Sequence, residues 1–153
     1  MTVSERLAHG SNRLYDAIRS RRAGDAAERA SKGDLAALEG HKYVLVTTFK
    51  RSGEAVPTPL WFGRDGGKLY FRTYADAVKL KRIRHNSRVV IGPCDLRGEP
   101  KGEMIEAEAR ILPAQDNERA DRVIQSNYGL FRRLYKASFS GRVDAAYVEV
   151  TPT

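Results

Sequence analysis

The sequence predicts a small, mainly antiparallel β-barrel with helices covering its ends, an α+β chain in which strands dominate. Three observations carry this. About six runs rich in β-branched and aromatic residues follow one another between Tyr43 and Val150, most of them joined by hairpin signals. Ile105, Ala107, Ala109 and Ile111 alternate with Glu106, Glu108 and Arg110, as on a barrel wall with one wet side. Past residue 40, helical patterning is confined to a short basic insertion after Tyr74 and a pair of segments after Pro113.

Residues 1–40 are polar and helix-prone, and they are read as an N-terminal helical extension. Leu14, Ala17 and Ile18 are spaced for one helical face, with Arg19, Arg21 and Arg22 as a solvated end. A second helix is expected from Asp34 as N-cap, with Leu35 and Leu38 on one face and Gly40 as its stop. The barrel domain then runs from 41 to 153. Tyr43 to Phe49 reads as its first strand, and Arg51-Ser52-Gly53-Glu54 as a hairpin turn.

The second strand, Ala55 to Gly63, contains Pro57 and Pro59. Two prolines remove two ladder donors, so an edge or bulged strand without continuous pairing is expected. Two readings fit that pattern: an edge protected against aggregation, or a stretch left free to face a ligand. Asp65-Gly66-Gly67 is a strong turn signal, and Lys68 to Tyr74 follows as a strand. Its alternation puts Tyr70, Arg72 and Tyr74 on one face and Leu69, Phe71 and Thr73 on the other.

Asp76 is a candidate N-cap for a short helix through Asn86, with Val78, Leu80 and Ile83 as its apolar positions. Arg88 to Cys94 is the next strand, then a polar connection, then the amphipathic strand from Glu103 to Leu112. After Pro113, Ala120, Val123, Ile124 and Tyr128 form a core-facing helical stripe. Gly129 interrupts it, and Leu130 to Tyr135 resumes as a second helix. Ala145 to Val150 is the last strand, ended by Pro152.

The chain has 153 residues, a hydrophobic content of 41% and a formal net charge of +8. That favours one domain with a real core and an anionic partner: nucleic acid, an acidic surface or a phosphorylated small molecule. Cys94 is the only cysteine, so neither an intrachain disulfide nor a cysteine zinc cluster can form. The histidines at 9, 41 and 85 are scattered, and no metal site is expected. The first residues lack the apolar core of a signal peptide. No apolar run approaches the roughly 20 residues of a membrane span. A cytoplasmic protein without membrane contact is the expectation.

The basic insertion is the most informative stretch. Between Arg64 and Arg88 stand eight Lys or Arg and two Asp. Lys79 falls in the first turn of the expected helix, where the positive pole disfavours a cation. An anion bound there reverses the sign, because lysine and free amides then act together. Thr73, at the end of the preceding strand, offers a hydroxyl. A solvated basic helix is the competing reading.

The motifs V-P-T-P-L-W-F, G-G, L-Y-F-R-T, K-x-K-R-I-R-x-N-x-R-V, P-C-D-x-R-G and E-A-x-A-R-I-L follow in that order. In this order the chain resembles the split β-barrel flavin and deazaflavin oxidoreductases, relatives of pyridoxamine 5′-phosphate oxidase with an FMN-binding-protein-like fold. Within them it is most similar to the branch that uses coenzyme F420, an 8-hydroxy-5-deazaflavin. The resemblance covers residues 40–153. It implies a homodimer with a cofactor at the subunit interface and a small-molecule substrate. It implies that Pro57, Thr58, Pro59 and Leu60 lie along the ring, and that Thr73 and Lys79, with Arg72 nearby, hold the phosphate.

The flavin-using oxidases carry a Ser-Arg-Lys triplet at the positions of Ala77, Val78 and Lys79. Only the lysine is kept, which argues against tight FMN binding. The oligoglutamate tail of the deazaflavin would suit the surplus of cations from Lys68 to Arg88 and at Arg97 and Lys101. No arginine-rich C-terminal substrate motif is present, which argues against pyridoxamine phosphate oxidation.

The implied activity is hydride transfer from reduced F420 to a conjugated small molecule, the cofactor carrying the chemistry and the protein orienting it. FMN is the alternative cofactor. A non-enzymatic cofactor- or nucleic-acid-binding barrel is the alternative of another class, disfavoured because the strand aromatics do not cluster as a stacking platform. No catalytic residue is assigned: Tyr74, Lys50, Cys94 or solvent could supply the proton. Cys94, lacking a His/Asp partner set, reads as a small buried apolar residue.

Overall fold

The computed structural model describes residues 21–129, 132–138 and 144–153. The helical face expected at Leu14, Ala17 and Ile18, and the start of the late helix at Leu130 and Phe131, lie outside these. The strands are β1 (Tyr43–Phe49), β2 (Ala55–Leu60), β3 (Phe62–Asp65), β4 (Lys68–Tyr74), β5 (Arg88–Cys94), β6 (Ile105–Ile111) and β7 (Ala145–Pro152). The described helices are α1 (Arg21–Ala26), α2 (Val78–His85), α3 (Asn117–Ser126) and α4 (Arg132–Ser138). The mainly β, split-barrel expectation is met, with seven strands instead of about six.

The extra strand comes from the proline-bearing segment. The sheet runs β2-β1-β5-β6-β7-β4-β3, with every strand pair antiparallel. β2 and β3 are its two edges, yet only Trp61 separates them in sequence. The expected single strand therefore breaks at Trp61, where the chain crosses from one edge of the sheet to the other and curls it into a barrel. The indole is held there edge-on to Tyr43 and Tyr128, with centroids 5.4 and 4.5 Å away.

The prolines do make β2 an edge, but they do not interrupt its pairing with β1, which continues from Phe49↔Ala55 to Val44↔Leu60. Lys50 N donates to Glu54 O at 2.9 Å, which makes the pairs at 56, 58 and 60 the hydrogen-bonded ones. Residues 57 and 59 then point their missing donors away from β1, so the ladder loses nothing.

The barrel interior is filled by Val44, Val46, Phe71, Val89, Ile91 and Val148, and α2 closes one end with Leu80 and Ile83. On the other face of β1 and β5, α1 seats Ala23 and Ala26 against Leu45, Phe49 and Val90. On the outer face of β4 and β7, α3 and α4 cover Tyr70 and Tyr147 with Ala120, Ile124 and Tyr135. α3 lies so close to β3 that a Cβ on Gly63 would meet Val123 O.

Several local expectations change. The helix expected after Asp34 is a single 3₁₀ turn, Ala36–Leu38. The Asp34 carboxylate does accept from Ala36 N at 2.9 Å, and Gly40 at φ 80° ends the segment. Leu35 and Leu38 face the barrel core, so tertiary burial, not helix propensity, sets this turn. Ala77, not Asp76, is the N-cap of α2, extended at ψ 138° and making no side-chain cap bond. Val78 is 58% exposed and leaves the apolar stripe to Leu80 and Ile83. β7 continues through Pro152.

Two carboxylates, the buried Glu149 in the sheet and the half-buried Asp121 on α3, gather hydrogen-bond donors. Glu149, 5% exposed, accepts from Tyr70 Oη at 2.9 Å, Lys68 Nζ at 3.2 Å and Arg110 Nη2 at 3.3 Å. Asp121 on α3 accepts from Tyr135 Oη at 2.6 Å and Tyr147 Oη at 2.8 Å, with Arg72 at 3.7 Å. Burial pushes both carboxyls up, but these hydrogen bonds and cations outweigh it and hold both below their ordinary values. Burial, followed by the bond to Asp121, pushes the Tyr147 hydroxyl up to about 12.

Groups with depressed folded-state values contribute stability above their unfolded values and lose it as pH falls. Stability to urea is therefore expected to hold from neutrality down to about pH 5 and to fall below it. Asp121→Asn is expected to flatten part of that acid limb, as measured by unfolding midpoints across pH. An unchanged acid limb would show that Asp121 is not held ionised by its tyrosine and arginine neighbours.

Candidate cofactor site

The site is built where the end of β4 meets the first turns of α2. Thr73 lies on the barrel-facing side of β4, with Leu69 and Phe71, and is 3% exposed. The Lys79 ammonium donates to its hydroxyl at 3.2 Å. One helical turn on, the Arg82 guanidinium donates to Thr48 Oγ1 at 3.3 Å, across to β1. Lys79 and Arg82 are three apart and so share a face of α2. Each is steadied by a threonine from a different strand, which fixes two cations at one end of the barrel.

Lys79 stands in the first turn of α2, where amides and helix dipole already favour an anion. The donor set is lysine, guanidinium and hydroxyl, with no acidic residue in that first turn. These groups fit a phosphate. Ala77, buried at 6% exposure, and Val78, an exposed apolar side chain, add no polar donor to that set.

The structure brings some of the expected residues together and separates others. Thr73 and Lys79 are in direct contact. Thr58 and Leu60 stand opposite Val46 and Val44 of β1 and face the same side as Thr48. Both are half-buried. Pro57 and Pro59 stand opposite Thr47 and Leu45, on the α1 side of the sheet, and both are buried. The four residues expected along the ring thus divide between two faces.

Arg72 points away from Thr73 by strand alternation, toward Asp121 and the face of Tyr147, whose centroid is 5.7 Å from the guanidinium carbon. Thr48 and Arg82 are the pair that sequence reading missed. Two signals could have found them: the spacing of Arg82 from Lys79, and the hairpin register, which sets Thr48 opposite Val56.

Of the three named proton sources, Cys94 is buried in the cluster with Leu45 and Val90, and burial followed by the charge of Asp95 pushes its thiol up to about 12. Lys50 is tied to Glu54 at 3.1 Å in the first hairpin. Tyr74 is half-buried at the end of β4, next to Thr73. Among the described residues no three metal-ligating side chains come together, and no helix is long and apolar enough to cross a membrane.

A FAD-binding protein from Mesorhizobium loti superposes with a TM-score of 0.57 at 12% identity, over 76% of this chain and 85% of that one. A protein named F420 reductase gives 0.52 at 20% identity, over 81% and 96%. The heme storage protein HutZ of Vibrio cholerae gives 0.56 at 16% identity, over 75% and 84%. At these identities the likeness concerns the fold, which evidently serves more than one cofactor. No curated protein sequence matches the chain. The family described as pyridoxamine 5′-phosphate oxidase matches residues 34–152, nearly the whole of the described barrel. The chain belongs to that family of split β-barrels.

Proposed function

We propose that the protein is an oxidoreductase that binds coenzyme F420 and reduces a conjugated small molecule. The observation that carries this is the pairing of Lys79 with Thr73 and of Arg82 with Thr48, beside an N-cap that offers no hydroxyl or guanidinium. A phosphate-bearing cofactor with an extended anionic tail fits that set and the exposed basic residues Lys81 and Arg84 on the same helix. A protein of this fold named F420 reductase supports the same choice. The reading goes with a cytoplasmic homodimer in which the exposed Val78, at the mouth of the site, is covered by a second copy.

In this reading Lys79, Thr73 and Arg82 bind and orient the phosphate, and Thr58 and Leu60 line the ring-side wall. When bound, the reduced deazaflavin supplies a hydride to the electrophilic carbon of the substrate. The proton for the adjacent carbon comes from solvent or from Tyr74. FMN is the second reading, favoured by the one retained residue of the flavin triplet, Lys79.

The test uses reduced F420 and cyclohex-2-enone as a model substrate. Oxidation of the coenzyme is expected only when protein and enone are both present. Oxidation at the protein-free rate, or turnover with reduced FMN alone, would contradict the proposal.

A further inference from the structure

A cavity lies on the opposite side of β1 from the candidate cofactor site. Ala26 and Met104 belong to the cluster with Leu45 and Val90, whereas Leu80 and Ile83 of α2 belong with Val44 and Val46. Successive residues of β1 point to opposite faces, so the sheet separates the two sites. The cavity measures about 440 Å³ and is lined by α1, the segment after it and the connection from β5 to β6. That is the size of a small-molecule pocket.

Its walls are fixed. Ser31 N donates to Met104 O at 3.0 Å and Glu106 N donates to Ser31 O at 2.9 Å, clamping the segment after α1 to β6. Arg22 reaches Glu99 at 2.7 Å and ties α1 to the β5–β6 connection. Gly102 backs onto Pro93, where a Cβ would lie 2.8 Å from the proline ring.

Its chemistry is bipolar. Arg29 and Glu103 both line it, both are exposed, and neither side chain has a hydrogen-bond or ion-pair partner among the described residues. Arg22 adds a second cation, already paired with Glu99. Ala26 and Met104, each 4% exposed, form an apolar floor, and Ser31 contributes a hydroxyl. A simple anion would use the arginines and be repelled by Glu103. An apolar ligand would use the floor and leave both charges unmatched.

We propose that this cavity binds a free α-amino acid. The carboxylate lies toward Arg29, the ammonium toward Glu103, and an aliphatic or thioether side chain rests on Ala26 and Met104. The inference is independent of which cofactor the α2 site holds.

Met1 and Met104 are the only methionines, so selective ¹³C-methyl labelling of the full chain gives two signals, one inside the cavity. Titration with L-leucine and with L-methionine is expected to shift the Met104 signal saturably in the millimolar range or below. The analogues 4-methylpentanoate and 3-methylbutylamine, each lacking one charge, are expected to bind at least about tenfold more weakly than L-leucine. Arg29→Gln and Glu103→Gln are expected to cost L-leucine a similar factor while leaving the fold and melting temperature unchanged, since both residues are exposed. The absence of a saturable Met104 shift with both amino acids overturns the proposal. So do analogues that bind as well as L-leucine, and so do folded variants of unaltered affinity.

Discussion

Lys79→Ala is expected to weaken F420 binding about ten- to hundredfold while leaving the protein folded. A charge-assisted contact to phosphate is worth roughly 1.5–3 kcal/mol, which is that factor in affinity. In the free protein Lys79 is half-buried in the first turn of α2 and donates to Thr73 Oγ1 at 3.2 Å. The substitution leaves the core residues of α2, Leu80 and Ile83, in place. Thr73→Val should cost less, because it removes a neutral donor and keeps the cation. Equilibrium titration of wild type and both variants gives the ratios, and circular dichroism confirms the fold. An unchanged affinity in folded Lys79→Ala would show that the phosphate does not sit at this end of α2.

The largest expected effect on stability is that of Gly63→Ala. Gly63 pairs with Tyr70 in the β3–β4 hairpin, and α3 crosses directly above it. A Cβ there would lie 2.6 Å from Ile124 Cα and nearer still, at 2.3 Å, to Val123 O. Both are backbone atoms of a helix, so no side-chain rotation relieves the clash. Relief requires α3 to lift, and α3 carries the buried Ala120 and Ile124 and the Asp121 carboxylate held by Tyr135 and Tyr147. Overpacking of a well-filled interior typically costs roughly 1–3 kcal/mol. A helix backbone that must move puts this case at or above the upper end, a fall in melting temperature of about 6–12 °C. Gly24→Ala is the control: it lies in α1 with nothing within 4 Å of its Cβ position and should be neutral or slightly stabilising. A Gly63→Ala protein as stable as wild type would mean that α3 does not rest on β3.

Much of the architecture could be read from local signals. β1, β4 and β5 have the bounds their sequences predict, because each is a β-branched or aromatic run bounded by turn, cap or polar-loop signals. Gly66 and Gly67, at φ 58° and 77°, form the expected tight turn between β3 and β4. The contact of Lys79 with Thr73 was legible for a similar reason: it joins a strand end to the helix that follows it, six residues away.

What could not be read depends on distant chain. The break at Trp61 follows from pairing with two strands at opposite ends of the sheet, and no property of Ala55 to Gly63 contains it. The placement of Pro57 and Pro59 toward α1 follows from register with β1, not from proline chemistry. Arg72 looked like a neighbour of the phosphate because it precedes Thr73. Alternation turns it to Asp121, which lies on a helix some fifty residues later in sequence and gave no local sign of its role. The buried Glu149 likewise collects partners from β4 and β6, so it reads in isolation as an ordinary strand glutamate.

The central claim is that α2 and the strand ends around it form a deazaflavin site and not a tight flavin site. Parallel equilibrium titration of the purified protein with oxidised F420 and with FMN tests it most directly. F420 is expected to bind saturably and at least about tenfold more tightly than FMN, a gap of about one charge-assisted hydrogen bond. FMN binding as tightly as F420 or more so, or no saturable binding of either, would contradict the account.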